Sequence, residues 1–193
     1  VFRARPCGAR LAAGLLLIAL HLPQAAAAQA PVIEARSKVE AAFLRNFARY
    51  VSWPPRAFAD EQAPWTVCVL GEDRFGDSLP DTLKGHTEQG RYFEIRRAET
   101  LDELPNCHIL FVAVASAVQR RTTLRRLKDK PVLTVGNADD FLSEGGVIRL
   151  VPGERMEMSV NLDQARSASL GIPTKLLEVS QYVVENGTLR KLR

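Results

Sequence analysis

Cys107-His-Ile-Leu-Phe-Val-Ala-Val-Ala115 (CHILFVAVA) decides the fold. Eight of its nine residues are apolar, and they run almost unbroken rather than alternating. A strand with one wet face alternates; a strand covered on both faces does not. This segment therefore predicts a central strand with helices on both sides. Outward from it, Trp65–Leu70 (WTVCVL) is a second short apolar strand, ending at Gly71. Tyr92–Arg96 (YFEIR), Pro131–Val135 (PVLTV), Val147–Val151 and Met156–Leu162 (MEMSVNL) read as further strands. Asp73–Leu83, closed by Gly85, and the arginine-rich Ala117–Lys128 read as helices between them. Alternating strands and helices define an open, mostly parallel α/β sheet of Rossmann-like type in a single domain. Only the Pro152-Gly153 turn joins the last two strands, so they form a hairpin and the sheet is mixed.

Two helices frame this core. Ser37-Lys38-Val39-Glu40 matches a capping box. Val39, Phe43, Asn46, Phe47 and Tyr50 then recur at helical spacing, with Ala42 and Val51 widening the stripe. Trp53-Pro54-Pro55 ends that helix, because neither proline donates an amide hydrogen and Pro54 disfavours helical geometry at Trp53. A final helix is predicted from about Pro173 to Val184, stopping near Asn186-Gly187.

The first 30 residues address the chain. Arg3, Arg5 and Arg10 precede the apolar run Leu11–Leu22, and Ala25–Ala30 offers small-residue cleavage sites. This is the layout of a secretory signal peptide over residues 1–28, with cleavage between 27 and 30. The apolar run is shorter than the ~20 residues of a membrane span. Removing the leader's three arginines from the 26 basic residues leaves 23 against 22 acidic ones. The basic pI is thus mostly a targeting signal, and nucleic acid is not an expected partner.

Few residues carry chemistry. Gly71-Glu-Asp-Arg-Phe-Gly76 lies between a strand and a helix, but Asp77-Ser78 stands where a phosphate loop needs Lys and Ser or Thr. Glu72, Asp73 and Asp77 repel a phosphate there. His86 sits in a turn, and His108 reads as a hydrogen-bonded core or edge histidine. No histidine-based zinc pattern and no GxSxG appears. No catalytic residue, cofactor or metal ligand is predicted. Cys68 and Cys107 are the two cysteines left after the leader. Export favours their pairing, and both lie in strands expected to be close; two buried free thiols are the alternative. The basic face of Ala117–Lys130 is either a solvated helix face or a contact for lipid headgroups or an acidic partner.

Ala41–Pro54 (AAFLRNFARYVSWP) resembles the opening helix of the YfiR family, which typically reads AAFLYNFAKFVEWP. Val67–Gly71 resembles its ICVLG, and Cys107–Val112 its CHILFI. Leu133–Val135 with Phe141, Gly145-Gly146 and Ile148 resembles its LTVSD…F…GGMI. Ser159–Leu162 with Ala165, Ala168, Leu170 and Leu176-Leu177 resembles its closing segment. The resemblance spans about residues 38–185, within a domain placed at 38–187. It implies a periplasmic, non-enzymatic α/β repressor. Such a repressor binds the periplasmic sensor part of an inner-membrane GGDEF-containing diguanylate cyclase and lowers cyclic di-GMP. It also implies a homodimer and a Cys68–Cys107 disulfide. The second disulfide of some members has no cysteines here, and Arg45 replaces the usual tyrosine. The expected partner-binding residues are Arg45 and Arg49 on the first helix and Ser159, Asn161 and Leu170 in the closing segment. The alternative from another class is a periplasmic small-molecule binding protein using the crevice at the strand ends.

Overall fold

Alternation along β1 (Trp65–Gly71) builds two cores, one on each face of a sheet. In the computed structural model, Val67 and Val69 enter one apolar cluster, while Cys68 and Leu70 enter another on the opposite face. The structure describes residues 25–153 and 155–193, and for 25–34 the backbone alone. The predicted leader therefore lies largely outside the described residues.

Nine strands, among the described residues, form one sheet in the order β2-β3-β1-β4-β5-β6-β7-β8-β9. They are β1, β2 (Thr87–Glu88), β3 (Arg91–Ala98), β4 (Ile109–Ala113), β5 (Leu133–Gly136), β6 (Ile148–Pro152), β7 (Met156–Asn161), β8 (Tyr182–Glu185) and β9 (Thr188–Lys191). From β3 to β6 all neighbours are parallel; β7 runs antiparallel to β6, as the Pro152-Gly153 turn demands. The sheet is thus open, mixed and mostly parallel. Its order reverses between β1 and β4, because β1 connects to β3 on one side while β4 continues to β5 on the other.

Helices α1 (Ala25–Tyr50), α2 (Ser78–Leu83), α4 (Leu162–Ser167) and α5 (Thr174–Glu178) contribute to the first core. On the other face, α3 (Ala117–Leu127) lays Leu124 over Leu110, Val112, Phe141 and the two cysteines. Gly71 ends β1 at φ +88°, and a Cβ there would lie 2.7 Å from the Ala113 carbonyl oxygen. Only glycine lets β1 and β4 end this close together.

Three expectations fail, each for a local reason. Helix α1 runs through Ser37, so that residue is not its N-cap. The hydroxyl instead donates to the Arg74 carbonyl at 2.9 Å, and Glu40 is buried beside the Arg74 guanidinium. The buried stripe of α1 is Ala41, Leu44, Phe47, Ala48 and Val51; Val39 is 45% exposed and Asn46 lies at the surface. Contact with both the sheet and α2 centres the buried face on Leu44, Phe47 and Ala48 and leaves Phe43 and Tyr50 half-buried at its edge. The predicted Pro173–Val184 helix is the five-residue α5 followed by β8. Asn186 and Gly187, at φ +53° and +70°, make the tight turn from β8 into β9. Asn-Gly between two β-prone runs is a strong hairpin signal, and here it turns the chain rather than stopping a helix.

Candidate functional site

Beyond β5, the face of the sheet opposite α1 is lined by strands and loops, and a groove of about 600 Å³ opens there. Register builds its floor. Arg149, Ser159 and Tyr182 lie side by side across β6, β7 and β8, with Asn161, Val184 and Leu189 one row further on. The intervening residues Ile148, Val160 and Val183 point into the protein and are buried. The floor is thus the outward half of the same alternation that fills the first core. It mixes apolar and polar groups, and Leu189 is 61% exposed.

Fixed polar contacts shape the walls. Asn161 accepts from the Gln164 backbone N–H at 3.0 Å, capping α4, and donates to the Leu142 carbonyl at 3.1 Å. Arg149 donates to the Ala138 carbonyl at 3.0 Å and pairs with Asp139. The Asp163 carboxylate accepts from the backbone N–H of Gly187 at 2.8 Å and Asn186 at 2.9 Å. Those bonds, Gly187 first, hold its carboxyl below the usual range. They also clamp the β8–β9 turn to the start of α4, so the groove is preorganised by loops that are themselves tied down.

Among the expected binding residues, the structure brings together Ser159 and Asn161, which line this groove. Leu170 is 5% exposed and belongs to the first core, so it offers no surface. Arg45 and Arg49 lie at the other end of the sheet, where their Nε atoms donate to the two Glu88 oxygens at 2.9 and 2.8 Å. Burial pushes the Glu88 carboxyl up, and the hydrogen bonds from Arg49 and Arg45 outweigh it and leave it below the ordinary value. These arginines fasten α1 to β2, so charge reversal at Arg49 would disturb the fold before it tested binding. Tyr182 and Val184 fall in the segment whose pattern predicts a helix, and Leu189 lies beyond it, so the sequence singles out none of the three.

The remaining residues of interest have structural places. A disulfide joins Cys68 to Cys107 across Cα atoms 6.0 Å apart. Arg120, on the arginine-rich helix, is buried against Glu144. Among the described residues, no group of three or more His, Cys, Asp or Glu is placed to hold a metal ion.

His108 is buried, with Nδ1 accepting from the Thr66 N–H and Nε2 donating to the Ala57 carbonyl, both at 3.0 Å. That pair of bonds selects one neutral tautomer. Burial pushes its pKa below 6.5 and the Arg91 charge adds to this, against the Ala57 bond. A lowered histidine pKa contributes stability that is present above the unfolded value and lost as pH falls through the folded one. Melting temperature should therefore drop on acidification below about pH 6.5, and His108→Gln should flatten that slope. An unchanged slope in the variant would exclude His108 as the source.

The chain belongs to the YfiR/HmsC-like family, whose model matches residues 37–181. Comparison with curated proteins finds no match. The family is one of periplasmic regulators, and the matched region contains β1 through β7, with Arg149, Ser159 and Asn161 of the groove floor, and ends just before β8.

Proposed function

We propose that this chain is a periplasmic regulator that acts by binding. It docks on the sensor part of an inner-membrane diguanylate cyclase and holds cyclic di-GMP synthesis low. It turns over no substrate. Residues 1–28 are its cleaved leader, the domain placed at 38–187 continues through β9, and the working form is a homodimer. No described helix is long and apolar enough to cross a membrane, so contact with a membrane enzyme would run through its exposed periplasmic part.

One observation carries the docking surface: the groove floor presents Leu189, 61% exposed, with half-buried Tyr182 and Val184 beside it, next to Arg149 and Asn161, whose polar groups are already bonded within the protein. Apolar and aromatic anchors with a polar surround are what specific interfaces use. The sheet needs none of these side chains for its core, which lies on the opposite face. Arg149 and Asp163 at the walls are tied internally, leaving the apolar residues as the groups with surface to lose.

The test is Leu189→Asp combined with Tyr182→Ala, measured by co-purification from membranes and by cellular cyclic di-GMP. Truncating such anchors costs about 2 kcal/mol or more, roughly thirtyfold in Kd. Release of the cyclase and a rise in cyclic di-GMP to the level of the gene deletion are expected, with the melting temperature unchanged. A folded double variant that still co-purifies and represses would place the docking surface elsewhere.

A further inference from the structure

A second concavity, about 470 Å³, opens where β1, β4 and β5 end, at the point where the strand order reverses. In open α/β sheets, ligands bind in this crevice, and its size is within the range of small-molecule sites. It is separate from the groove on β6–β9, and the docking reading does not use it.

Its charges are arranged unevenly. Arg120 at the back is spent on Glu144 and two backbone carbonyls. Arg36 is not, and Arg74 is spent only in part. Arg36 is exposed and has no hydrogen bond or ion pair among the described residues. Arg74 has one acidic neighbour, Glu40, whose Oε2 lies 3.2 Å from its Nε. Glu40 is fully buried, and neither of its oxygens has a hydrogen-bond partner among the described residues. Burial pushes its carboxyl above the ordinary value, against the pull of the Arg74 charge. The Asn137 side-chain amide also lines the crevice with no protein partner among the described residues.

We infer that this crevice binds a small organic carboxylate, gripped by the guanidinium groups of Arg36 and Arg74 and touched by the amide of Asn137. Planar guanidinium forks match a carboxylate through paired hydrogen bonds. Glu72 on the rim, with Asp73 and Asp77 following in the chain, argues against a more highly charged phosphate.

The test is titration of the leader-free protein by calorimetry and NMR with acetate, succinate and inorganic phosphate, at constant ionic strength against chloride. Saturable binding of a carboxylate is expected, with shifts at Arg36, Arg74 and Asn137 and with phosphate weaker. Arg36→Gln, an exposed change that spares the fold, should weaken it about tenfold, and Arg74→Gln should do at least as much. No saturation with either carboxylate, unchanged affinity in folded Arg36→Gln, or tighter phosphate binding would each overturn the assignment. Repression and cyclase binding are read separately, so failure here leaves the docking proposal standing, and the reverse.

Discussion

Arg120→Ala should destabilise the protein by about 3–5 kcal/mol, the cost of breaking a buried ion pair from one side. The Arg120 guanidinium donates to Glu144 at 2.8 and 3.0 Å and to the carbonyls of Val114 and Ala115 at 3.1 and 2.6 Å. The two side chains are only 9% and 4% exposed. After the change, Glu144 keeps Arg121 alone, at 3.6 Å and half in solvent. Two carbonyls lose their donor as well. Urea denaturation should show a lower midpoint with the slope unchanged. The apolar pair Arg120→Met with Glu144→Leu should recover most of the loss, because it leaves no charge stranded. Full stability in the single variant would mean that the pair is not buried in solution. The pair also holds the loop carrying Leu142 and Gly145, which forms one wall of the groove. Arg120→Ala should thus weaken cyclase binding without touching a docking residue.

The sheet was legible because its strands carry the signal themselves. The unbroken apolar run at Ile109–Val112 demanded cover on both faces, and both faces have it. Elements whose structure depends on a neighbour were read less well. Ser37 looks like a cap only if the helix begins there, and the helix does not. Leu44, Ala41 and Ala48 are buried because α2 and the sheet press on α1 from two sides, which periodicity alone does not reveal. The C-terminal hairpin was hidden by Leu176-Leu177, which suggest a helix, although Tyr182–Val184 is β-prone and Asn186-Gly187 names the turn. That misreading concealed half of the groove. Ser159 and Asn161 were reached through family resemblance, whereas Tyr182, Val184 and Leu189 become their neighbours only once β8 and β9 join the sheet.

Removing the Cys68–Cys107 bond should cost about 4 kcal/mol by loop closure alone, within the 2–5 kcal/mol typical of a native disulfide. The bond closes a loop with a sequence separation of 39 that contains α2, β2 and β3. It ties the middle of β1 to a residue just ahead of β4, its parallel neighbour in the sheet. Both cysteines are buried, at 0% and 8% exposure, in the smaller of the two cores beneath α3. A domain of this size is stable by about 5–15 kcal/mol in total, so the crosslink is a large share. Cys68→Ala with Cys107→Ala isolates the crosslink, whereas Cys68→Ser adds a buried hydroxyl and should be worse. The urea midpoint of the wild type should fall to that of the double alanine variant when a reductant is added, and the variant should not respond. Mass spectrometry of the unfolded, non-reduced, leader-free protein should find no alkylatable thiol. Two alkylated thiols in that measurement, or equal midpoints with and without reductant, would show that the bond does not form. Because the bond joins two neighbouring strands where the sheet order reverses, its loss should lower the amount of folded protein. On the proposed repression, cyclic di-GMP should then rise in cells even though every groove residue is intact.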